Sequence, residues 1–531
     1  MKKLSVFLMF CLAISTATMA QSGQLDSLFG TDGLVLLEFD DYARANAVAV
    51  QPDGNILVGG EVYKHVPFHD TDMLMLRYLP DGSLDTSFGQ GGQVQTDLNN
   101  YESLHHIAVQ PDGKIIAAGH ESNRLLVCRY LHNGTPDLDF GDAGCRVAGF
   151  EVTYGGFALQ PDGKILLAGY GFDPDTSTGL SQLVYRLDEW GNPDTSFAND
   201  GVAVTSFGDY TPISDLLLKP DGKILLNGLT TNNGVCSVTD IAVIQLMPDG
   251  SLDNGFGGGD GYALFDRDSL CDGSNISTLF SDGESVLLTG WTDTDSVENV
   301  PFLLKMTSEG ALDTLFSNDG WSFIGDGFAY FDARDAIFLP NDKFLFAGTA
   351  VIVDTIWGSP TEVSRAMISR FLPNGSIDST FGIQGSVLLN TDFTYPFDIW
   401  NSLTLGLDNS LFVVGGNDGS GKWFVLAKYK LDITSPTREQ RATGSKIPLR
   451  IYPNPASTIA TFSVQLPLPS PVRLELLDAF GRLVFTKQFP LQPSGIFSLQ
   501  LELPASLPGG AYLAQLKGDG VTATTILLIA N

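Results

Sequence analysis

Short apolar runs separated by turns dominate the sequence, and the first clear unit contains four of them. In that unit the pattern predicts four β-strands, Leu34–Phe39, Ala47–Gln51, Asn55–Gly60 and Met73–Leu79. The third and fourth strands are apolar on both faces, because consecutive residues such as Ile56, Leu57 and Val58 are all hydrophobic. Strands that are buried on both sides indicate sheets packed against other sheets.

This unit recurs along the chain. One landmark is an Asp followed three residues later by a Phe, with the Asp at positions 26, 85, 137, 194, 253, 313 and 378. Consecutive landmarks are 52 to 65 residues apart, so a unit of about sixty residues occurs seven times. Four-stranded units in series are typical of propeller blades. The sequence therefore predicts an all-β chain with a seven-bladed β-propeller over residues 21–432.

The order of strands within the unit predicts how the propeller closes. The chain enters the repeats at Leu34–Phe39, which precedes the first set of inner strands. We expect this strand to pair as the outer strand of the last blade and remove the free edges; an open solenoid is the alternative. We expect each landmark Phe to pack in an apolar pocket between blades. Each landmark Asp should cap its turn by accepting hydrogen bonds from backbone N–H groups.

These landmarks resemble a known repeat. The segments LDTSFG, QPDGKI and RYLPDG, which begin at Leu84, Gln110 and Arg77, are similar to the delta-60 repeat family. That family is a β-propeller repeat of bacterial surface and secreted proteins. The resemblance covers about Gln24 to Leu431, although units five to seven depart from it at the PDG turn. It implies a fold and a location, and no shared activity.

The N-terminal segment indicates export. Lys2 and Lys3 precede the apolar stretch Leu4–Ile14, and Ala20 offers a small residue at a cleavage position, which predicts a signal peptide over residues 1–20. That stretch is too short to span a bilayer, and no later segment has about 18 unbroken apolar residues, so no transmembrane helix is expected.

The C-terminal part predicts a second β-domain. A polar linker at residues 433–446 is followed by short apolar segments over residues 447–531, which suggest a small Ig-like β-sandwich. Its motifs are similar to the type A C-terminal sorting domain of the type IX secretion system. The residues that carry the likeness are Tyr452, Pro453, Asn454, Pro455, Asp478, Gly481, Arg482, Gly510 and Tyr512. The final segment, 522–531, lacks the basic residues that this family often has.

The sorting resemblance implies a partner and a location. The partner is the type IX secretion machinery, and the destination is the extracellular space or the outer-membrane surface of a Gram-negative bacterium. Such domains are typically removed after translocation. The formal net charge of −31, or −33 once Lys2 and Lys3 are cleaved away, argues against nucleic acid and against anionic membrane surfaces. No cofactor is expected, although so acidic a chain is compatible with calcium.

Four cysteines remain after cleavage, and four cysteines allow three pairings. Export permits disulfides, and the repeat positions favour Cys236–Cys271 over other pairs; free thiols are the alternative. No cysteine pair has the spacing of a zinc motif. The familiar motifs of hydrolases, metalloproteases and nucleotide-binding enzymes are also missing from suitable contexts.

The loops of each unit should gather on two opposite faces. One face carries the PDG turns, and we call it the turn face. The other carries the loops between the first and second strands and between the third and fourth strands, and we call it the long-loop face. Five histidines map to the long-loop face as a possible metal site or as solvated loop residues: His65, His69, His105, His106 and His120. Aromatic residues map there too, as sugar or peptide contacts or as loop packing: Tyr63, Phe68, Phe172, Trp291 and Trp357.

The pattern favours a surface or secreted propeller that binds a glycan or a protein without catalysis. A hydrolase or lyase that acts on polysaccharide is the first alternative, and a passive structural protein is the second. An enzyme should carry a charged cluster at the mouth of the propeller axis, whereas a binding protein should carry aromatic residues on the long-loop face.

Overall fold

A computed structural model describes the β-structure of most of the chain. The described residues are 22–64, 70–172, 180–206, 211–231, 239–266, 272–280, 282–292, 300–323, 330–356, 359–389, 398–417, 421–432, 450–452, 459–466, 470–477, 483–492, 495–503, 510–518 and 521–529. All of their regular elements are strands. None of these residues forms a helix long and apolar enough to cross a membrane. The predicted signal peptide and linker lie outside the described residues.

The first half of the repeat region contains seventeen strands. They are β1 (Leu34–Glu38), β2 (Ala43–Val50), β3 (Ile56–Lys64), β4 (Asp70–Tyr78), β5 (Gln93–Thr96), β6 (Glu102–Val109), β7 (Ile115–Glu121), β8 (Arg124–Tyr130), β9 (Cys145–Val147), β10 (Val152–Leu159), β11 (Ile165–Phe172), β12 (Leu180–Leu187), β13 (Val202–Thr205), β14 (Ile213–Leu218), β15 (Ile224–Thr231), β16 (Thr239–Leu246) and β17 (Tyr262–Phe265).

Eleven further strands complete the repeats. They are β18 (Asp272–Leu279), β19 (Val286–Thr292), β20 (Val300–Met306), β21 (Trp321–Phe323), β22 (Tyr330–Phe338), β23 (Phe344–Ile356), β24 (Ser359–Phe371), β25 (Ser386–Leu388), β26 (Asp398–Leu405), β27 (Leu411–Asn417) and β28 (Trp423–Tyr429).

Within the described residues these strands form seven antiparallel, four-stranded sheets. The first sheet has the order β2-β3-β4-β5, the next β6-β7-β8-β9, and so on to β22-β23-β24-β25. The last sheet has the order β1-β28-β27-β26, with Leu34 opposite Ala427 and Glu38 opposite Trp423, so the expected closing pair is present. The repeated four-stranded sheets confirm the all-β propeller class, and the seven sheets support seven blades.

The hydrophobic core lies between the sheets. One cluster joins Ala47, Leu57 and Met75 of blade one to Leu104 and Ile115 of blade two, and similar clusters lie between other neighbours. Both faces of a middle strand are therefore covered, which explains why Ile56, Leu57 and Val58 are all at most 1% exposed. Burial of this kind contributes roughly 25 cal/mol for each Å² of apolar surface removed from water.

On the turn face, each Asp–Phe landmark joins one blade to the next. In blade one, Ser87 N–H donates to Asp85 over 3.0 Å, and the guanidinium of Arg77 donates to the other Asp85 oxygen over 2.7 Å. Arg77 also donates to the carbonyl of His132 in blade two over 2.6 Å, and lies over the buried ring of Phe88. The predicted turn-capping role of the Asp is present, and the Arg adds a link to the next blade.

The landmark rings occupy the predicted apolar pockets. None is more than 3% exposed: Phe29, Phe88, Phe140, Phe197, Phe256, Phe316 and Phe381. Gly134, in the turn of blade two, shows why the pocket needs a glycine there. Its φ is 87°, and a Cβ would come within 2.8 Å of the Phe88 ring, so a larger residue would be strained and would also collide.

A disulfide joins Cys128 of β8 to Cys145 of β9. The two residues face each other across the β8–β9 pair, and Cys128 is fully buried. This bond is compatible with the predicted Cys236–Cys271 pair. Cys236 and Cys271 lie outside the described residues, so that pair stays a prediction.

The C-terminal domain contains two sheets. Its strands are β29 (Arg450–Tyr452), β30 (Ile459–Leu466), β31 (Ser470–Leu477), β32 (Leu483–Gln492), β33 (Gly495–Glu502), β34 (Gly510–Gly518) and β35 (Val521–Ile529). One sheet has the order β29-β30-β33 and the other β32-β31-β34-β35. Phe462 of the first sheet and Leu474, Tyr512 and Leu516 of the second share one core cluster. Two sheets around one core fit the predicted sandwich, whose Ig-like character stays a prediction.

The sorting-motif residues fall only partly on this domain's described strands. Tyr452 ends β29, Gly510 begins β34, and Tyr512 is buried at 7% exposure. The remaining motif residues, Pro453, Asn454, Pro455, Asp478, Gly481 and Arg482, lie outside the described residues.

Candidate ligand site at the mouth of the propeller axis

Every inner strand carries a β-bulge near its beginning, at the long-loop end. The residues skipped in the pairing with the second strand are Asn46, His105, Gly155, Ser214, Asn275, Arg334 and Asn401. A bulge twists the strand and changes the direction of its side chains. Asn46 donates to the carbonyl of Leu104 over 3.0 Å and Asn401 to that of Ala45 over 2.8 Å, so the bulges tie neighbouring inner strands together.

Two carboxyl groups line the axis directly after their bulges. Asp215 accepts hydrogen bonds from the N–H and the hydroxyl of Ser277, both over 2.9 Å. Asp335 accepts the hydroxyl of Ser402 and the N–H of Leu403, both over 2.8 Å. Each carboxyl group thus links its own blade to the next inner strand.

The surroundings of these two groups disfavour their charged forms. Burial, with a smaller contribution from the charge of Asp335, raises the pKa of Asp215 to about 7 against the hydrogen bonds from Ser277. Burial likewise raises the pKa of Asp335 to about 6. Both residues nevertheless keep some exposure to solvent. The two carboxyl groups therefore titrate near neutral pH.

Three of the predicted histidines lie on β6 and β7 of blade two. His105 Nε2 lies 3.2 Å from His120 Nδ1, and the ring of Tyr154 stacks on His105 with centroids 5.1 Å apart. His106 stacks on Phe157 and also contacts the ring of Tyr154 at a tilted angle. Burial lowers the pKa of His105 to about 3 and that of His106 to about 4, so both rings are neutral at physiological pH.

The structure brings together only part of the predicted histidine metal site. His105 and His120 lie within hydrogen-bond distance of each other, whereas His106 has ring contacts with Phe157 and Tyr154. Among the described residues, no histidine belongs to a group of three potential metal ligands. His65 and His69 lie outside the described residues, so the five-histidine site stays a prediction.

A cleft opens between the last blade and the first at the long-loop end of the axis. We call it the mouth cleft, and it is lined by Tyr42, Ala43, Arg44, Ile399, Asn401, Gly416 and Gly421. Arg44 donates to the side-chain oxygen of Asn401 over 3.3 Å, and the Tyr42 hydroxyl donates to Glu61 over 3.1 Å. A guanidinium, an amide and an aromatic ring thus line one small groove, and the carboxylate of Glu61 bonds to the hydroxyl of that ring.

Exposed aromatic rings lie on the same face as this cleft. Tyr42, Tyr101 and Phe172 lie on the long-loop face at 37%, 54% and 53% exposure. Of the five aromatic residues predicted from the sequence, Phe172 is exposed, Tyr63 and Trp291 are half-buried, and Phe68 and Trp357 lie outside the described residues. Sequence reasoning missed Tyr42 and Tyr101, although both stand in the short loops directly before an inner strand.

Two family models match segments of the chain. Residues 51–88, 110–140, 160–197 and 219–256 match a beta-propeller domain of unknown function, DUF5122. Residues 450–530 match a secretion system C-terminal sorting domain. These matches confirm both predicted resemblances. A comparison with curated proteins finds no match.

Solved propeller structures are similar to this chain at low identity. They include YCF48 bound to D1 peptide, at 10% identity with a TM-score of 0.39, covering 77% of this chain and 100% of that one. A second is the propeller domain of the Trilobed protease from Pyrococcus furiosus, at 10% identity with a TM-score of 0.38. The match covers 74% of this chain and 100% of that one. A third is the mannose phosphorylase MPT-4 from Leishmania mexicana, at 13% identity with a TM-score of 0.29. The match covers 52% of this chain and 84% of that one.

These low scores identify neither a ligand nor an activity for this chain. The two matched families are more informative, because one describes the repeats and the other describes the C-terminal domain. A type IX sorting domain directs a protein to the cell surface or the extracellular space. The chain is a secreted β-propeller protein with repeats of the DUF5122 type and a secretion system C-terminal sorting domain.

Proposed function

We propose that this protein is a non-enzymatic extracellular binding module whose ligand docks in the mouth cleft. The observation that carries this proposal is the convergence of Tyr42, Arg44 and Asn401 on one groove, on a face that carries further exposed aromatic rings. Binding sites typically combine apolar or aromatic walls with a few polar groups that fix orientation.

The chemistry of the groove favours a glycan over a peptide. An aromatic face can stack on the apolar face of a sugar ring, while amide, guanidinium and carboxylate groups bond to its hydroxyls. Arg44 and Glu61 supply one donor group and one acceptor group within the same short stretch of β2 and β3. A neutral sugar also avoids the repulsion that a strongly acidic chain would exert on an anionic ligand.

The axial carboxyl groups favour a second candidate function, a hydrolase or lyase that acts on polysaccharide. A carboxyl group with a pKa of about 7, such as Asp215, could serve as a general acid. We favour binding because Asp215 and Asp335 accept hydrogen bonds on both of their oxygens, including bonds from the next inner strand. Those bonds give both residues a structural role, and burial accounts for their pKa values.

The proposed export route involves the type IX secretion machinery. We propose a signal peptide at residues 1–20, the propeller at 21–432, a linker at 433–446 and a sorting domain at 447–531. The mature propeller would act in the extracellular space or on the outer-membrane surface of a Gram-negative bacterium, after removal of the sorting domain. Mass spectrometry of the secreted protein would show whether cleavage occurs within the linker.

Binding of the purified mature chain to a glycan array tests the function. We expect a saturable hit that Arg44→Ala weakens at least about tenfold, because truncating a central interface residue commonly costs more than about 1 kcal/mol. Trp190→Ala is the control, since Trp190 is an exposed residue on the opposite, turn face. Equal weakening by both variants would contradict the mouth cleft as the site.

The same experiment separates the two candidate functions. If the bound glycan is cleaved and Asp215→Asn abolishes the release of reducing ends, the protein is an enzyme and the binding proposal is wrong. If the glycan is recovered intact, the hydrolase or lyase alternative is wrong.

A further inference from the structure

Three aspartates gather at the long-loop end of blade one, away from the mouth cleft. Asp70 and Asp72 lie on the same face of β4, and Asp97 directly follows β5. Because Met73 pairs with Thr96, Asp72 and Asp97 occupy the next opposed positions of the β4–β5 pair. One carboxylate oxygen from each of the three residues lies within 4.8 Å of the others.

The burial of Asp70 distinguishes this group from ordinary surface acids. Asp70 is only 3% exposed, and neither of its carboxylate oxygens accepts a hydrogen bond from the residues that the structure describes. Leaving a buried carboxylate without a partner is costly, because its charge has lost water and gained no donor. Asp70 nevertheless points into a cluster of other carboxylates, which increases the cost.

The neighbours of this cluster add negative charge and hold it in place. Asp72 is fully buried, and Gln95 donates to one of its oxygens over 2.5 Å. Glu102, the first residue of β6 in blade two, is also fully buried. The electrostatic field at this position therefore favours a cation.

We propose that Asp70, Asp72 and Asp97 bind one divalent cation, calcium, between blades one and two. Calcium takes six to eight oxygen ligands at about 2.4 Å, so two oxygens on one ion lie at most about 5 Å apart, as these carboxylates do. Calcium tolerates irregular geometry, whereas magnesium requires a near-ideal octahedron and keeps several waters. The ion would coordinate the carboxylate of Asp70, and it would link the beginning of β4 to the segment that leads into β6.

The repeat supplies a matched control in blade four. Asp240 occupies the position of Asp72 on β16, and Asp266 follows β17 as Asp97 follows β5. Two positions before Asp240, however, the sequence has Val238 where blade one has Asp70. The described part of blade four shows no three-carboxylate group. Asp240→Asn therefore removes an equivalent acidic side chain without touching the proposed site.

Calorimetric titration of the chelator-treated mature chain with calcium alone, in about 0.15 M NaCl to screen surface charges, tests the site. We expect one saturable site per chain, with weaker binding of magnesium. Asp70→Asn should weaken calcium binding at least about tenfold, whereas Asp240→Asn should leave it unchanged. Circular dichroism confirms that each variant keeps the β-sheet signal.

Asp70→Asn also has an expected effect without calcium. It removes a buried negative charge, so the calcium-free variant should melt no lower than the calcium-free wild type, and the rise in melting temperature with calcium should disappear. No saturable binding by the wild type at about 1 mM calcium would overturn the proposal. So would tighter binding of magnesium, unchanged binding by Asp70→Asn, or equal loss in Asp240→Asn.

Discussion

The two faces of the propeller are built in different ways. On the turn face, an Asp bonded to a basic or amide side chain recurs from blade to blade beside a buried Phe. In the first three blades the Arg of this motif also donates to a carbonyl of the next blade. On the long-loop face, the equivalent positions differ: blade one has Asp70 and Asp72, whereas blade three has Gly179 and Ser181. The repeated face stabilises the ring, and the face that varies is free to carry a function.

The same residue type has opposite properties in the two regions. Burial disfavours ionisation of Asp378 on the turn face, but hydrogen bonds from Lys343 and Thr380 and the charge of Arg370 lower its pKa to about 2. At the axis, Asp215 has no described basic partner, and burial raises its pKa to about 7. Asp378 is therefore a structural ion held by the cations beside it, whereas Asp215, buried without such a partner among the described residues, titrates near neutral pH.

The largest expected effect tests the contribution of the turn face to stability. Phe29 is 1% exposed, whereas the preceding Leu28 is 85% exposed in the same motif. Phe29→Ala should lower the free energy of unfolding by about 3–5 kcal/mol, because it leaves a cavity at the contact between the closing strand and blade one. Leu28→Ala should change it by less than about 0.5 kcal/mol.

Chemical denaturation of the two variants measures this difference. A cost for Phe29→Ala no larger than that for Leu28→Ala would show that the landmark ring does not stabilise the ring closure. If both variants cost several kcal/mol, the motif acts through its backbone turn rather than through the ring.

The sequence predicted the turn face better than the long-loop face, for a physical reason. The landmark Asp and Phe act within one turn, so their short spacing is visible along the chain and repeats from unit to unit. The contact of Arg77 with His132, in contrast, joins residues of different blades, and no periodicity reveals it. The bulges had the same consequence at the axis: an extra residue interrupts the two-residue alternation, so the direction of Asn46 or His105 did not follow from the pattern.

An intermediate effect concerns the pH dependence of stability. The pKa of Asp215 rises from 3.8 to about 7 on folding, so its contribution is fully present below pH 3.8 and is lost as the pH rises through about 7. For Asp378 the sign is reversed: its contribution is present above pH 3.8 and is lost as the pH falls through about 2. Between pH 5 and 8 the wild type should therefore lose about 1–3 kcal/mol relative to Asp215→Asn.

Thermal melts of both proteins across this pH range check the sign. The variant also loses a hydrogen bond, but that cost does not vary with pH and cancels when the two slopes are compared. Parallel curves from pH 5 to 8 would show that Asp215 does not titrate there. Loss of stability below pH 4 in both proteins would reflect turn-face carboxylates such as Asp378.

The smallest expected effect on stability tests the long-loop face. Tyr101 is 54% exposed in the loop before β6, whereas Tyr130 on β8 is 2% exposed and bonds to Thr96 over 2.6 Å. Tyr101→Ala should change the free energy of unfolding by less than about 0.5 kcal/mol, because its ring contributes little to the core. Tyr130→Ala, which empties a buried position, should cost about 3–5 kcal/mol by analogy with other aromatic truncations. If Tyr101→Ala costs as much as Tyr130→Ala, the exposed loop supports the fold. A variant that is stable but binds the array glycan more weakly would extend the ligand surface from the mouth cleft to blade two.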